Sequence, residues 1–108
     1  DLAAPRDYAF SLEPGFWGHQ IADKLSVEVE FHGKPFHGVF DLAAQTLASV
    51  EPSRIALCGD SLHTDVLGAN GAGWRSVFVV QDGLFRQLDS ADMFAATQIQ
   101  PDWMVSRI

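Results

Sequence analysis

Ile-Ala-Leu-Cys-Gly-Asp-Ser-Leu-His-Thr-Asp, residues 55–65, is an apolar run followed by a glycine and two acidic residues. Residues 55–58 are typical of a short buried strand. Gly59 permits a sharp turn at the end of that strand. Asp60 is then expected to project from the edge of a sheet, where a ligand can reach it. A carboxylate in that place suits Mg²⁺. The same sequence is also compatible with a plain turn followed by an acidic helix cap.

A helix is expected directly after this turn, and Thr64 is placed to cap its amino end. Asp65 then falls in the first helical turn, where the helix dipole favours an acid. From there it can hydrogen-bond the Asp60 loop and support a metal site from behind. Ser61 and His63 lie between the two acids and are predicted on the rim of the site. For His63 an ordinary exposed loop position is the alternative.

The elements around this stretch alternate between helix and strand. Apolar residues recur with a 3.6-residue period over residues 35–50, which predicts a helix. Residues 76–80 are typical of a second buried strand, a helix capped by Ser90 is expected over residues 90–98, and a last strand at Trp103–Val105. This order predicts an α/β fold with a partial Rossmann-like parallel sheet and flanking helices, whose ligands lie beyond the carboxyl ends of the strands.

The first third of the chain has weaker patterns. Residues 1–14 are expected to be irregular because Pro5 and Pro14 interrupt them. Residues 15–25 are compatible with a helix, and residues 26–32 alternate between apolar and acidic side chains, which is typical of a half-buried strand.

Charge and cysteine content exclude several classes of partner. The 108 residues have a net charge of -7 without a cluster of lysine or arginine, so binding to nucleic acid or to an anionic membrane surface is not expected. No apolar run approaches the length of a membrane span. The single cysteine, Cys58, excludes a disulfide within the chain and a cysteine-rich zinc site. The Cys58 thiol is expected to be packed and inert. The protein is expected to be cytoplasmic.

A second candidate site residue lies ahead of the first helix. Lys34 is held between Gly33 and Pro35, at the junction of the predicted strand and helix. A constrained ammonium beside a carboxylate site can bind phosphate or balance the charge of a carboxylate. An isolated lysine is also commonly a solvated surface residue, and the tripeptide alone does not decide between the two.

Taken together, the two stretches resemble a known family. Gly-Lys-Pro, then a helix, a buried strand and Gly-Asp-Ser-x-x-Thr-Asp is the order of motifs in the haloacid-dehalogenase-like hydrolases. Residues 68–73 and Asp82-Gly83 extend the match, which covers residues 33–83. More narrowly, the chain resembles the class IIA phosphatases of that superfamily, whose cap is inserted between the second and third motifs.

The resemblance implies Mg²⁺-dependent hydrolysis of a small phosphorylated metabolite through an aspartyl-phosphate. Lys34 matches the catalytic lysine that binds the phosphoryl group. Asp60 matches the Mg²⁺ ligand, and Asp65 matches the acid that supports the metal. Residues 1–32 would be the tail of the cap, and residues 33–108 the C-terminal part of the core.

One family motif does not occur in this sequence. The family's nucleophile and general acid/base are the two acids of an Asp-x-Asp motif, and the chain contains no Asp-x-Asp. We therefore expect the chain to be the C-terminal part of an enzyme, to bind Mg²⁺ weakly if at all, and to be inactive alone.

Two other functions remain open at this point. The chain is compatible with a non-catalytic α/β module that binds a partner or an anion. It is also compatible with half of a split enzyme, completed by a second chain. A partial core of this kind exposes an apolar sheet edge, which predicts self-association or binding of a complementing chain.

Overall fold

The computed structural model of the chain describes residues 2–83 and 85–108. It divides into two compact units, with the boundary between His32 and Gly33. The assignment of the first unit to a cap and of the second to a catalytic core stays a prediction.

The first unit begins with a hairpin that the sequence patterns did not indicate. Strand β1 (Ala3–Pro5) pairs antiparallel with β2 (Phe10–Leu12), and helix α1 (Pro14–Leu25) follows with a proline in its first turn. The expectation of an irregular segment over residues 1–14 is therefore wrong. Strands of three residues are too short to display an alternating pattern. The helix expected over residues 15–25 is confirmed.

Residues 26–32 form neither helix nor strand, so the predicted strand is wrong. The alternation has another cause, because Val29 and Phe31 are partly buried while their neighbours are exposed. The Phe31 ring stacks on His19 with a centroid separation of 4.5 Å. A Cβ on Gly18 would lie 2.6 Å from that ring. Partial burial against a helix thus reproduces the pattern of a half-buried strand without a pairing strand.

The second unit is the α/β part of the chain, and the predicted fold class is confirmed. Its elements in chain order are α2 (His37–Thr46), β3 (Ala56–Gly59), a π-helical turn (Leu62–Val66), α3 (Leu67–Gly71), β4 (Arg75–Val79), α4 (Ser90–Thr97) and β5 (Trp103–Val105). The strands form one parallel sheet in the order β3-β4-β5. Among the described residues, no helix is both long and apolar enough to span a membrane.

The register of the sheet brings the carboxyl ends of its strands together. Gly59 lies opposite Phe78, and Val79 lies opposite Val105. The pairing continues past β4, where the Val80 amide donates to the Val105 carbonyl at 2.9 Å. The loops after β3 and β4 therefore leave the same edge of the sheet, where ligands of open α/β folds bind.

Two apolar clusters hold the helices against this sheet. The first joins the π-helical turn, β4 and α4, and its buried members are Leu62, Val66, Phe78 and Met93. The second joins α2 and α3 through Phe40, Ala69 and Trp74. The Phe40 ring meets Trp74 edge to face and lies so close to Gly68 that a Cβ there would overlap it. A small residue at position 68 thus allows α2 to approach α3.

Helix α2 is shorter than the predicted 35–50. The Phe36 amide donates to the Gly33 carbonyl at 2.9 Å, so a turn occupies residues 33–36 and the helix begins at His37. It ends at Thr46, where the Leu47 amide bonds the Ala44 carbonyl. The apolar period continues beyond the helix, where Phe36 and Leu47 are exposed and Val50 is partly buried.

Two predicted helix caps are also wrong. Thr64 caps no helix but is buried inside the π-helical turn. Asp89, not Ser90, caps α4, because its carboxylate accepts hydrogen bonds from the Ala91 and Asp92 amides at 2.8 and 3.2 Å. A carboxylate placed one residue earlier reaches both free amides of the first turn.

Cys58 is exposed, contrary to the expectation of a packed thiol. The Ala56 and Cys58 side chains lie on the same face of β3, because side chains alternate between faces along a strand, and that face is exposed. An apolar run in the sequence predicts a strand, but it does not distinguish a central strand from an edge strand.

A polar cluster ties the starts of β4 and β5 to the end of α3. Asp102 accepts hydrogen bonds from the Ser76 amide at 2.9 Å and from the Arg75 guanidinium at 2.8 Å. The fully buried Ser76 hydroxyl lies within 3.3 Å of Asp102 and within 3.2 Å of Asn70. The Ser76 amide and then the Arg75 guanidinium hold the pKa of Asp102 below its usual value.

We expect the stability of this cluster to depend on pH. Because the folded state lowers the pKa of this carboxyl, the ionised carboxylate stabilises the fold at pH values above the usual Asp pKa of about 3.9. This stabilisation is lost as the pH falls through the lowered pKa. Asp102→Asn should therefore unfold at lower urea than the wild type at pH 7, and the difference should shrink toward pH 3. Asp41→Asn, an exposed position on α2, is the matched control. An equal loss for Asp102→Asn at both pH values would contradict this role of the charge.

Candidate functional site

Two carboxylates lie at the carboxyl edge of the sheet, directly after β3. Asp60 and Ser61 follow the last strand residue, Gly59. The chain then winds into the π-helical turn, in which the Asp65 and Val66 amides both donate to the Ser61 carbonyl, at 3.0 and 3.2 Å. This wide turn brings the Asp65 side chain back over the end of β3.

Asp65 forms the closest polar contact of the site. One carboxylate oxygen, Oδ1, accepts from the Lys34 ammonium at 2.5 Å. The other, Oδ2, accepts from the Ser61 amide at 3.1 Å. The Asp65 side chain is only 6% exposed, whereas that of Lys34 is 46% exposed. The Lys34 side chain therefore contacts a buried carboxylate and is itself partly exposed to solvent.

Gly59 is needed because Asp65 lies directly against it. A Cβ at this position would overlap the β-carbon and the carboxylate of Asp65. The backbone of Gly59 is not in the left-handed region, which among the glycines holds only Gly33, Gly73 and Gly83. The sequence-based explanation, a sharp turn, is therefore replaced by close approach of a side chain to the backbone.

Asp60 lies on the other side of the site, against the loop that follows β4. Its carboxylate and β-carbon lie where a Cβ of Gly83 would be. Gly83 also has a φ of +74°, a conformation that glycine adopts without strain. The sequence indicated a turn at Asp82-Gly83, but the contact with Asp60 joins two loops that are distant along the chain.

The two predicted rim residues have different environments. Ser61 is half-buried and contributes its backbone amide to Asp65. His63 is exposed, and its ring centroid is 6.0 Å from that of Phe85. No sequence pattern indicated Phe85, since a single aromatic residue after a loop has no periodic signal. The structure thus brings Lys34 to Asp65 and Asp60 to Gly83, and the catalytic and metal-binding roles predicted for these residues stay predictions.

Comparison with known families agrees with this arrangement. A family model described as HAD-hydrolase-like, where HAD denotes haloacid dehalogenase, matches residues 31–108. The chain belongs to the HAD-hydrolase-like family. The match contains all the candidate site residues and the whole parallel sheet.

Solved structures of HAD phosphatases are similar over nearly the whole chain. A possible sugar phosphatase of the HAD superfamily from Cytophaga hutchinsonii superposes with a TM-score of 0.85 at 26% identity, over 99% of this chain and 39% of that one. The p-nitrophenyl phosphatase of Archaeoglobus fulgidus gives 0.84 at 19% identity, over 99% and 41%. The 4-nitrophenylphosphatase of Thermotoga maritima gives 0.77 at 24% identity, over 99% and 39%.

These similarities have two limits. The two nitrophenyl phosphatases are less than 25% identical to this chain, so they establish the fold alone. The chain also spans only 39–41% of the length of these three structures. A search of curated proteins gives no match.

The HAD-like site can bind an anion and contribute one carboxylate to a cation. The Lys34 ammonium has three N–H donors, one of which is used on Asp65. Asp60 is a hard oxygen ligand of the kind Mg²⁺ prefers. Among the described residues, no group of three or more His, Cys, Asp and Glu side chains could hold a metal ion. Asp60 therefore fits a Mg²⁺ site only as one of several ligands.

We expect Gly83→Ala to disturb Asp60 beyond the cost of its backbone conformation. Gly73 has a similar φ of +71° but open space around its Cβ position. Gly73→Ala is therefore a control for backbone strain alone. Because rotation of Asp60 cannot remove an overlap with its β-carbon, Gly83→Ala should cost about 1–2 kcal/mol more in urea unfolding than Gly73→Ala. Equal losses would show that Asp60 does not pack against this glycine.

Proposed function

We propose that this chain provides the lysine and the acidic residues of a Mg²⁺-dependent phosphatase site, as the C-terminal portion of a class IIA HAD-like phosphatase. The observation that supports this most directly is the Lys34–Asp65 ion pair, which lies with the Asp60 loop at the carboxyl edge of a parallel sheet. A cation and a metal-ligating acid in that place suit a phosphate monoester. The similarity to a possible sugar phosphatase supports small phosphate esters as the substrate class.

In this proposal Lys34 and Asp60 have separate tasks. The exposed N–H donors of Lys34 bind the phosphoryl oxygens and stabilise the charge that develops on them. Asp60 is one ligand of Mg²⁺, which when bound neutralises phosphate charge and orients the ester. Asp65 holds the lysine and the Ser61 amide in place. Ser61 and His63 remain candidates for the rim, where the leaving group passes.

The aspartate that would attack phosphorus is not in this sequence. The family resemblance assigns that role to an Asp-x-Asp motif, which the chain does not contain. We propose that the isolated chain is inactive, and that phosphate ester hydrolysis through an aspartyl-phosphate needs a further segment. Its small phosphorylated substrate and its bound Mg²⁺ belong to that completed site.

The exposed edge of β3 supports completion by another segment. Parallel sheets are normally covered on both faces, yet the face of β3 that carries Cys58 is exposed, and within the described residues β3 pairs with β4 alone. A segment that adds a parallel strand here would end beside Asp60. The same edge would serve a second chain in a split enzyme, whereas a non-catalytic module that uses another surface would leave it open.

Two substitutions, introduced into the natural protein, test the roles proposed for Asp60 and Lys34 in catalysis. Asp60→Asn should lower Mg²⁺-dependent hydrolysis of p-nitrophenyl phosphate by about 100-fold or more, because the metal loses a charged ligand. Lys34→Ala should cause a loss on the order of 100-fold through weaker charge stabilisation. Asp23→Asn, an exposed acid on α1, should leave turnover unchanged. Near-normal turnover of Asp60→Asn would overturn the proposed function.

Cys58 reports whether the β3 edge is covered. In the 108-residue chain, the thiol should react with a chromogenic disulfide reagent at the rate of an exposed cysteine. In the natural protein it should react more slowly by about tenfold or more, because the elements that complete a parallel sheet cover both of its faces. Equal rates in both would contradict completion at this edge and favour the non-catalytic module.

A further inference from the structure

The Asp65 carboxylate is closed to a metal ion on both sides. Its Oδ1 faces the Lys34 ammonium, and its Oδ2 faces the Ser61 amide. The side chain is 6% exposed. A divalent cation at Oδ1 would meet the positive charge of the lysine, and at Oδ2 it would have to displace a backbone donor. The acid is therefore placed to act on the lysine.

We propose that Asp65 is a positioning residue that acts on catalysis through Lys34. This inference rests on the proposed function for its consequence in turnover, but the ion pair itself can be tested without it. It assigns the two acids of the loop to different partners. Asp65 binds the Lys34 ammonium, and Asp60 is a ligand of the metal ion.

Several contacts make Asp65 a fixed anchor for a flexible side chain. The π-helical turn ties its backbone to the Ser61 carbonyl, and Gly59 leaves the space that its carboxylate fills. A lysine side chain has many rotamers and loses most of them when it is held. Because Asp65 is rigid and buried, the pair fixes Lys34 before a ligand arrives. Two N–H donors of the ammonium then remain for phosphoryl oxygens.

The charge of Asp65 also depends on Lys34. A buried carboxylate without a cation is strongly destabilising. Removal of Lys34 alone should therefore destabilise the fold, and a second change of Asp65 to Asn should recover part of that loss. A side chain that only fills space at position 65 would not show this recovery.

A double-mutant cycle in the natural protein separates positioning from metal binding. We expect Asp65→Asn to lower kcat by about tenfold or more, while the Mg²⁺ concentration for half-maximal activity stays within about twofold. Asp60→Asn should raise that Mg²⁺ concentration. Lys34→Met should lower kcat, and Lys34→Met/Asp65→Asn should be no slower than Lys34→Met alone, since effects on one unit are not additive. Additive losses, or a raised Mg²⁺ requirement in Asp65→Asn, would overturn the proposal.

The chain contains a built-in control for a test that needs no activity. Its only lysines are Lys34 and Lys24, and Lys24 is exposed in the last turn of α1. Acetylation of the 108-residue chain by acetic anhydride, quantified by mass spectrometry, gives the rate at each lysine. In Asp65→Asn the Lys34 rate should rise about fivefold or more relative to Lys24, because the charge-assisted hydrogen bond is lost. An unchanged ratio in a variant that keeps the wild-type circular dichroism would overturn the ion pair.

Lys34→Met keeps the inference testable should Asp65→Asn unfold. The Lys34 side chain is 46% exposed and belongs to neither apolar cluster, so its replacement leaves the core intact. The urea midpoint of Lys34→Met should be lower than that of the wild type, and Lys34→Met/Asp65→Asn should be more stable than Lys34→Met. A double variant that is less stable than Lys34→Met would overturn the inference. If the natural protein has no phosphatase activity, the proposed function fails, while acetylation and stability still decide the pairing.

Discussion

The burial of one carboxylate, that of Asp65, determines the shape of the candidate site. A buried charge is tolerated only with an opposite charge and hydrogen-bond donors around it. Lys34 and the Ser61 amide meet that requirement. Gly59 must then lack a side chain, because the carboxylate occupies that space. The π-helical turn follows from the same constraint, since it returns Asp65 to the end of β3.

This constraint links two distant parts of the chain. Lys34 precedes α2, and Asp65 follows β3, so their ion pair spans 31 residues of sequence. Between them, Phe40 packs against Gly68 and Trp74. The apolar contact sets the distance between α2 and α3, and the ion pair fixes the loops at their ends. The apolar contact and the ion pair therefore link the same two parts of the chain, residues 34–40 and 65–74.

The features that depend on local sequence patterns could be predicted. The features that depend on contacts between segments distant in the sequence could not. The parallel α/β order and the strand at Trp103–Val105 follow from periodicity, and the structure has them. Lys34 and the two acids could be grouped from their motifs and from the rule that ligands gather at carboxyl ends of strands. Exposure of Cys58 and the contact of Asp60 with Gly83 could not be predicted. The first depends on which face of an edge strand is covered, and the second depends on how two distant loops meet. Neither can be inferred from the sequence of one segment.

In the proposed function, the position of β3 accounts for the need for a further segment. Asp60 and Asp65 follow a strand that, within the described residues, pairs with β4 alone, so its other edge is open to pairing. Lys34 can bind a phosphoryl group and Asp60 can hold a cation, but neither group is placed to attack phosphorus. Because parallel strands end at the same edge, a strand added beside β3 would bring its own terminal residues next to Asp60. In the proposed function, an attacking carboxylate therefore reaches the site at the edge of β3.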